Sequence, residues 1–321
     1  MEKLVLAFHY VWYGTPFGPA GEWRAWPGGD GGRYNPDLVF GGQRMVDSPN
    51  YPLDGPYDSL DPTVIRRQFC ELSQAAVDGS IVSWWGINDY SDRVLDALVE
   101  EAAGVDYRIT LYYETPMVES RKGEDTEAQC ILKDMKYILG KHAQKDTWLK
   151  VDGKPVIVIY VVDTYPLAVW QEVKDGLKGE GFDPFFLGDT FNLEALSVMD
   201  GLHTYNPVRR LISGEDLAAT YCSVAEGVHK EGKLFAATVI PGFDDRKIRT
   251  PGTLLAREDG GCYNKTWLAA LASDPDWVLI TSWNEWHEGS EIEPSREYGT
   301  EYLWLTRQWV RAFKAEREKR T

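Results

Sequence analysis

Short apolar runs recur eight times along the chain, and an amphipathic helical stretch follows most of them. Each run is bounded by Gly, Pro or Asp, and most are continuously apolar, as strands buried on both faces are. Eight strand-then-helix units predict an α/β fold, a single (β/α)8 TIM barrel over residues 1–321. The alternative, a doubly wound sheet, lacks its Gly-rich phosphate turn here. The predicted strands are 4–12, 80–85, 108–114, 155–163, 184–190, 201–206, 234–240 and 277–283.

The helical stretches have recognisable starts. Asp61 and Pro62 form the clearest one, with an N-cap followed by proline at the first helical position. Only the fifth strand lacks a full helix, since residues 194–199 provide one or two turns. The segment from Gly14 to Asp61 is long and rich in Gly and Pro, and it is predicted to be an ordered functional loop after the first strand. The predicted helices are 62–76, 91–103, 126–141, 166–178, 214–231, 259–272 and 300–317.

The charge balance limits the possible partners. Lys and Arg total 34 against 50 Asp and Glu, a formal net charge of −16. This balance argues against nucleic acid and against anionic membranes as partners. The longest apolar runs are of strand length, too short to span a bilayer. The N-terminus enters a strand-like run without a basic region or a cleavage site, which predicts a cytoplasmic protein, or a secreted one if a leader was removed. The oligomeric state is not indicated.

Acids and aromatic residues gather at the predicted carboxyl ends of the strands, where barrel enzymes carry their chemistry. Trp283 and Trp286 flank Glu285 after the last strand. An apolar wall raises the pKa of a carboxylic acid, as a general acid requires. The same short segment holds four glutamates: Glu285, Glu288, Glu291 and Glu293.

Paired carboxylates among aromatic rings are typical of glycoside hydrolysis. The chain has 13 Trp and 17 Tyr; some fill the core, and others offer flat faces on which sugars stack. His287, Glu288 and Glu291 are a competing set of metal ligands, but their spacing matches no standard zinc motif, so we expect no metal and no cofactor. The glycine-rich turn at 28–32 lacks a Lys and a following helix, so it is not a phosphate cradle.

The segment 280–293, ITSWNEWHEGSEIE, resembles the strand-eight segment of glycoside hydrolase family 99, the endo-α-1,2-mannosidase and endo-α-1,2-mannanase family. Departures from the family occur at Thr115-Pro116, at His203 and over 130–150, and they concern sugar subsites more than the reaction. Shorter matches come in the family's order: Tyr10-Val11-Trp12-Tyr13-Gly14, Tyr57-Asp58-Ser59, Ser83-Trp84-Trp85, Tyr112-Tyr113-Glu114, Thr204-Tyr205, and 241–245 with Ile248-Arg249.

The resemblance implies an endo-acting retaining hydrolase that cleaves α-mannosidic links of the α-1,2 type in mannan or N-glycan-type oligosaccharides. In that family the 2-hydroxyl of the substrate participates and a 1,2-anhydro sugar forms. Glu285 matches the base that acts on this hydroxyl, and Glu288 matches the general acid and later base. The implied substrate-binding residues are Tyr10, Trp12, Tyr13, Trp84, Trp85, Glu114, Tyr205, Asn284, Trp286 and His287.

Substrate choice is implied by Trp85. Mannan-acting bacterial members of the family have a Trp-like residue there, and animal glycan-processing members a Tyr-like one, which favours a mannan-type substrate. Two alternatives stay open at this point. One is a non-hydrolytic carbohydrate-binding or polysaccharide-assembly protein on the same barrel, and the other is a hydrolase of a different α-glycan.

Overall fold

Eight parallel strands close into a barrel in a computed structural model that describes residues 2–28 and 32–318. Residues 29–31 of the glycine-rich turn, and 319–321 at the charged C-terminal end, lie outside the described residues. The predicted (β/α)8 TIM barrel is confirmed. Its strands are β1 Leu4–His9, β2 Gly79–Trp84, β3 Arg108–Tyr113, β4 Lys154–Ile159, β5 Phe185–Asp189, β6 Gly201–His203, β7 Leu234–Val239 and β8 Trp277–Ile280.

The strands pair in chain order around the barrel. β1 lies between β2 and β8, with Leu6 opposite Gly79 on one side and Leu279 on the other. β3 pairs with both β2 and β4, so the sheet has no open edge at β3. All these pairings are parallel, which brings the carboxyl ends of the eight strands to one rim of the barrel.

Helices surround the barrel. Asp61 caps the first, because its carboxylate accepts a hydrogen bond from the Thr63 amide at 2.8 Å. The predicted helix 214–231 is observed as Leu217–Lys230, capped by Asp216, and a short helix that was not predicted, Val208–Ser213, precedes it and ends at Gly214, at φ 77°. A 3-10 turn at Leu193–Ser197 follows β5. The helices are α1 Pro62–Gln74, α2 Tyr90–Ala102, α3 Val118–Arg121, α4 Glu127–His142, α5 Leu167–Gly179, α6 Val208–Ser213, α7 Leu217–Lys230, α8 Gly261–Ala272 and α9 Glu301–Glu318.

Alternate residues of each strand point into the barrel or out to the helices. Leu4, Leu6 and Phe8 pack in an inner cluster with side chains of the other strands, whereas Val5 and Ala7 pack in the outer cluster with the helices. The strand period of two residues produces this division. Since side chains fill the barrel interior, we expect a ligand to bind at the rim. None of the helices in the described part of the chain is long and apolar enough to cross a membrane.

The described residues of the long segment between β1 and α1 pack against this rim. Trp26 is buried, and its indole N–H donates to the Tyr57 carbonyl at 2.8 Å. The Ser48 hydroxyl donates to the Trp286 carbonyl at 2.8 Å, and the Asn50 amide donates to Glu291 at 2.8 Å. These contacts fix the segment to the loop after β8, where the predicted catalytic residues lie.

Candidate active site

A tight turn after β8 brings two acids together. Residues Trp286–Glu288 form one turn of 3-10 helix directly after Glu285, and the Glu288 amide donates to the Glu285 carbonyl at 3.2 Å. Side chains three residues apart eclipse each other in such a turn, and the Glu285 and Glu288 carboxyl groups lie close enough for each to shift the pKa of the other. Gly289, at φ 57°, ends the turn, and a Cβ there would lie 2.8 Å from Cγ of Pro49. Only glycine fits both constraints.

Both carboxyl groups face one cavity of about 280 Å³ at the rim of the barrel. Aromatic rings dominate its wall, and they come from five different strand ends. Stacking faces beside acids are what a carbohydrate site needs, since a sugar has an apolar face and many hydroxyls. The lining residues are Tyr10, Trp12, Trp85, Tyr112, Glu114, Pro116, Met117, Tyr160, Tyr205, Asn206, Arg249, Glu285 and Glu288.

Glu285 is buried against a tyrosine. The Tyr205 hydroxyl donates to its Oε2, and the Glu285 amide donates to the Ser282 hydroxyl at 2.7 Å. Burial raises the pKa of the Glu285 carboxyl well above its usual range, and the charge of Glu288 raises it further. The hydrogen bond from Tyr205 offsets part of this rise. These contacts hold Glu285 in one orientation towards the cavity.

Glu288 is paired with a cation. Arg249, from the loop after β7, donates to Oε1 of Glu288 at 2.7 Å and to Asp245 at 2.6 Å. Burial raises the pKa of Glu288, and the Arg249 guanidinium offsets part of the rise. Two buried carboxyl groups in contact favour a state that holds one proton between them, because like charges at this distance repel strongly. The pair therefore provides one acid and one base.

Glu114 is a third acid in the same cavity. It follows β3, and its Oε1 accepts a hydrogen bond from the Ser83 hydroxyl at 2.6 Å. Burial raises the pKa of Glu114 from about 4.5 to about 7, and the hydrogen bond from Ser83 offsets part of that rise. Asp189, at the end of β5, orients Tyr205 by accepting from its backbone amide at 2.9 Å.

The raised pKa of Glu114 makes a prediction about stability. The folded state holds the Glu114 proton up to about pH 7, while the unfolded chain loses it near pH 4.5. The unfolded state therefore binds fewer protons across this window, so the free energy of unfolding falls as pH rises through it. In Glu114→Gln this fall should be smaller by ~2–3 kcal/mol between about pH 5 and pH 7. Urea denaturation of the wild type and of Glu114→Gln at several pH values measures this difference. If the free energies of unfolding of the two proteins fall in parallel as pH rises, the prediction is wrong.

The other two glutamates of the last loop have structural contacts. Glu291 accepts from Arg257 at 2.7 Å and from Asn50. Glu293 accepts from the Tyr57 hydroxyl at 2.6 Å and from Gln68 at 3.0 Å. Neither glutamate lines the catalytic cavity or the larger cavity beside it. They tie the loop after β8 to the rest of the rim.

Six of the predicted substrate-binding residues lie in cavity walls. The catalytic cavity has five of them, and His287 lines an adjacent cavity of about 720 Å³. Trp12 belongs to both walls. The five in the catalytic cavity are Tyr10, Trp12, Trp85, Glu114 and Tyr205.

The other four line neither of these two cavities, for physical reasons. Trp84 precedes Trp85 and so points the opposite way, into the helix layer, where its indole N–H donates to Asp92 at 3.0 Å. The Asn284 side chain forms two hydrogen bonds with the backbone of Tyr10, at 2.7 and 2.8 Å. Buried hydrogen bonds likewise occupy the hydroxyl of Tyr13 and the indole N–H of Trp286. These four shape the site from behind its wall.

Sequence reasoning missed several lining residues. Tyr112, Tyr160 and Asn206 all stand at strand ends, so the rule that barrel sites lie there could have found them. Arg249 comes from a loop whose path the strand pattern does not predict.

Over the described ranges 2–28 and 32–318, no group of three or more His, Cys, Asp or Glu side chains could hold a metal ion. Metal independence stays a prediction, which activity in the presence of a chelator would test.

Comparison with known proteins adds to this geometry. The model of glycosyl hydrolase family 99 matches residues 1–314. The chain belongs to this family. As a family 99 member it is a glycoside hydrolase of the endo-α-mannosidase-like type, and its substrate is a carbohydrate. The non-hydrolytic alternative is therefore set aside.

Individual relatives agree with the family match. The human glycoprotein endo-alpha-1,2-mannosidase-like protein is 27% identical, over 98% of this chain and 76% of its own length. The rat glycoprotein endo-alpha-1,2-mannosidase is 25% identical, over 99% of this chain and 76% of its own. The solved GH99 endo-alpha-mannosidase from Bacteroides thetaiotaomicron superposes with a TM-score of 0.82 at 27% identity, covering 97% of each chain.

Proposed function

We propose that residues 1–321 form one catalytic domain that hydrolyses internal α-1,2-mannosidic linkages with retention of configuration. The observation that carries this proposal is the pair of buried carboxyl groups, Glu285 and Glu288, in contact at the wall of one aromatic cavity. A general acid and a general base are the two groups that glycoside hydrolysis requires. The human and rat relatives are named as α-1,2-mannosidase types, which supports this linkage.

The roles follow the family pattern. Glu285 removes the proton of the 2-hydroxyl of the reacting mannose, whose oxygen attacks carbon one to form a 1,2-anhydro sugar. Glu288 protonates the leaving oxygen and then activates the water that opens the anhydro ring. In the free site Arg249 favours the ionised form of Glu288. The proton therefore has to pass from Glu285 to Glu288 as substrate enters, which the proximity of the two carboxyl groups favours.

The spacing of the two acids supports participation by the substrate. A carboxylate that attacks carbon directly stands ~5–5.5 Å from the acid. Glu285 and Glu288 stand three residues apart on one side of a 3-10 turn, and each carboxyl group shifts the pKa of the other. A base and an acid that act on neighbouring oxygens of one sugar suit this arrangement better than a nucleophile and an acid on opposite sides of a bond.

The experiment that tests the proposed function uses three polymers. An α-1,2-linked mannan should be cut internally, and the fragments should first appear as the α anomer in proton NMR. An α-1,6-linked mannan and an α-1,4-linked glucan serve as comparisons. Release of single mannose units only, or faster cleavage of the glucan, would contradict the proposal; the second result would favour the hydrolase of a different α-glycan.

Trp85 is expected to select the sugar beyond the reacting ring. It lies in the catalytic cavity, its ring is 5.4 Å from that of Trp12, and its indole N–H donates to Ser83 at 2.9 Å. Trp85→Tyr should change the ratio of kcat/KM for mannose-capped over glucose-capped substrates by about tenfold. Trp84→Tyr is the matched control, because Trp84 points away from the cavity: it should lower the melting temperature and leave the ratio unchanged. The same outcome for Trp85 would show that it only packs.

A further inference from the structure

The Ser83 hydroxyl connects two residues of the catalytic cavity wall. Ser83 is the residue before the last one of β2; it is buried and does not itself line the cavity. Its Oγ accepts a hydrogen bond from the indole N–H of Trp85 at 2.9 Å and donates to Oε1 of Glu114 at 2.6 Å. Trp85 and Glu114 both line the cavity. One oxygen atom behind the wall therefore joins an aromatic face to an acid.

The chemistry of the three groups fixes the direction of these two hydrogen bonds. An indole nitrogen can only donate, and a hydroxyl has one hydrogen to donate and two lone pairs that accept. Ser83 therefore accepts from Trp85 and gives its own hydrogen to Glu114. In such a chain each hydrogen bond polarises the next one and strengthens it. The position of the Trp85 ring and the state of the Glu114 carboxyl are thus coupled through Ser83.

Trp85 is held at its backbone and at its ring by two different serines. Its backbone amide donates to the Ser91 hydroxyl, at the start of α2, at 2.9 Å. Its ring is held by Ser83, and the ring of Trp12 lies 5.4 Å away. Without the hydroxyl of Ser83 the backbone would stay fixed by Ser91, while the indole could turn about its side-chain torsions. Ser83 therefore controls the orientation of the ring that faces the cavity.

Glu114 depends on the same hydroxyl. In the part of the chain that the structure describes, Ser83 is the only hydrogen-bond partner of the Glu114 carboxyl group. It binds Oε1, so Oε2 can accept a hydrogen bond from a hydroxyl of a ligand in the cavity. Ser83 therefore fixes which oxygen of Glu114 is offered to the substrate.

We propose that Ser83 is a positioning residue for substrate selection, whose hydroxyl keeps the stacking face of Trp85 and the acceptor oxygen of Glu114 at a fixed distance from each other. This inference rests on the proposed function, because it takes the sugar beyond the reacting ring as the one that Trp85 selects. Mannose and glucose differ only in the orientation of the hydroxyl on carbon two. Distinguishing them requires wall groups that are held in place to within ~0.5 Å.

The first test measures selection. Ser83→Ala removes one oxygen and adds no atom, so the fold should survive. We expect the ratio of kcat/KM for mannose-capped over glucose-capped substrates with the same leaving group to move towards one by about three- to tenfold, the effect of one lost hydrogen bond. In a Trp85→Phe background, which has no indole N–H, Ser83→Ala should change the ratio less, because the connection is already broken.

Ser80→Ala is the matched control. Ser80 lies in the same strand and is also buried, and its hydroxyl contacts the Tyr107 hydroxyl at 2.9 Å and Nδ1 of His9 at 3.1 Å. None of these three residues lines the catalytic cavity. Ser80→Ala should therefore lower the melting temperature and keep the wild-type ratio, which separates selection from general loss of stability.

A second test needs no substrate. The hydrogen bond from Ser83 favours the ionised form of Glu114 and offsets part of the rise to about 7 that burial causes in its pKa. Without this bond the folded state keeps the Glu114 proton to higher pH. The fall in the free energy of unfolding with pH should then extend to higher pH than in the wild type, by roughly half a unit to one unit.

The control for this second test is Ser83→Ala in a Glu114→Gln background, where the shift should disappear. Urea denaturation at several pH values measures all four proteins. Five other titratable groups act on Glu114 and are left in place by Ser83→Ala: Asp189, Glu285, Tyr10, Tyr112 and Tyr160.

The two readouts separate this inference from the proposed function. An unchanged cap ratio in folded Ser83→Ala, or an unchanged pH range for Glu114, would overturn the inference and leave the proposed function in place. If the wild-type protein cleaves neither capped substrate, the proposed function fails, and the role of Ser83 in selection fails with it. A shifted pH range would then show only that Ser83 binds Glu114.

Discussion

Glu288→Gln should lower kcat on unactivated mannan oligosaccharides by about 10²–10⁴-fold, the usual effect of removing a general acid. The fold should survive, because the glutamine oxygen can still accept the hydrogen bond that Arg249 now donates to Oε1 of Glu288. Glu285 should remain able to act as a base. The charge of Glu288 raises the pKa of Glu285, so a neutral neighbour lets Glu285 ionise more readily.

Substrates with different leaving groups distinguish the loss of the general acid from a disrupted active-site structure. A nitrophenyl leaving group departs without protonation, so the first step on such a substrate should be affected much less. Glu226→Gln, an exposed change on α7, is the matched control and should behave as wild type. Near wild-type turnover of the oligosaccharide by Glu288→Gln would show that Glu288 is not the acid.

A 2-deoxy-2-fluoro mannoside with an activated leaving group should bind but show no turnover. Participation requires the oxygen on carbon two, because that oxygen is the nucleophile. Direct displacement by a carboxylate does not need it and would only lose a hydrogen bond to the 2-hydroxyl, worth several kcal/mol. The two routes therefore predict opposite results for this one substitution in the substrate.

Mass spectrometry decides between these routes. Participation predicts an unlabelled protein, and the parent mannoside with its 2-hydroxyl is the positive control for turnover. Competitive inhibition by the fluoro compound shows that it occupies the site. A stable mass increase of one fluoroglycosyl unit, located on Glu285, would replace participation by direct displacement.

Strand positions could be predicted from sequence because each buried strand is a continuous apolar run between turn-forming residues. The ends were less accurate. The first predicted strand, 4–12, is longer than the observed Leu4–His9, and the last, 277–283, is longer than Trp277–Ile280. In both cases the apolar pattern continues into backbone that has left the sheet and packs at the rim. Burial continues there, but strand pairing does not.

The site was predictable by position and less so by side-chain direction. Glu285 and Glu288 face one cavity, as a pair of acids three residues apart in a tight turn should. The sequence alone does not show whether Trp84 or Trp85 faces the cavity. Side chains alternate between the two faces of a strand, so the answer depends on knowing which face the first residue of β2 points to. The role of Asn284 depends on a partner 274 residues away, Tyr10, which no local pattern reveals.

That long-range pair has a consequence for the order of events on the ribosome. Asn284 connects the end of β8 to the end of β1 by hydrogen bonds. The rim around β1, the first strand to be synthesised, therefore cannot form until β8, the last strand, has left the ribosome. Contacts between distant parts of a chain are slow to form, since a long loop has to close first. The acids Glu285 and Glu288 emerge at the same late stage. A nascent chain whose β8 is still inside the ribosome is therefore inactive. Hydrolytic activity can appear only after the eight strands have closed into the barrel.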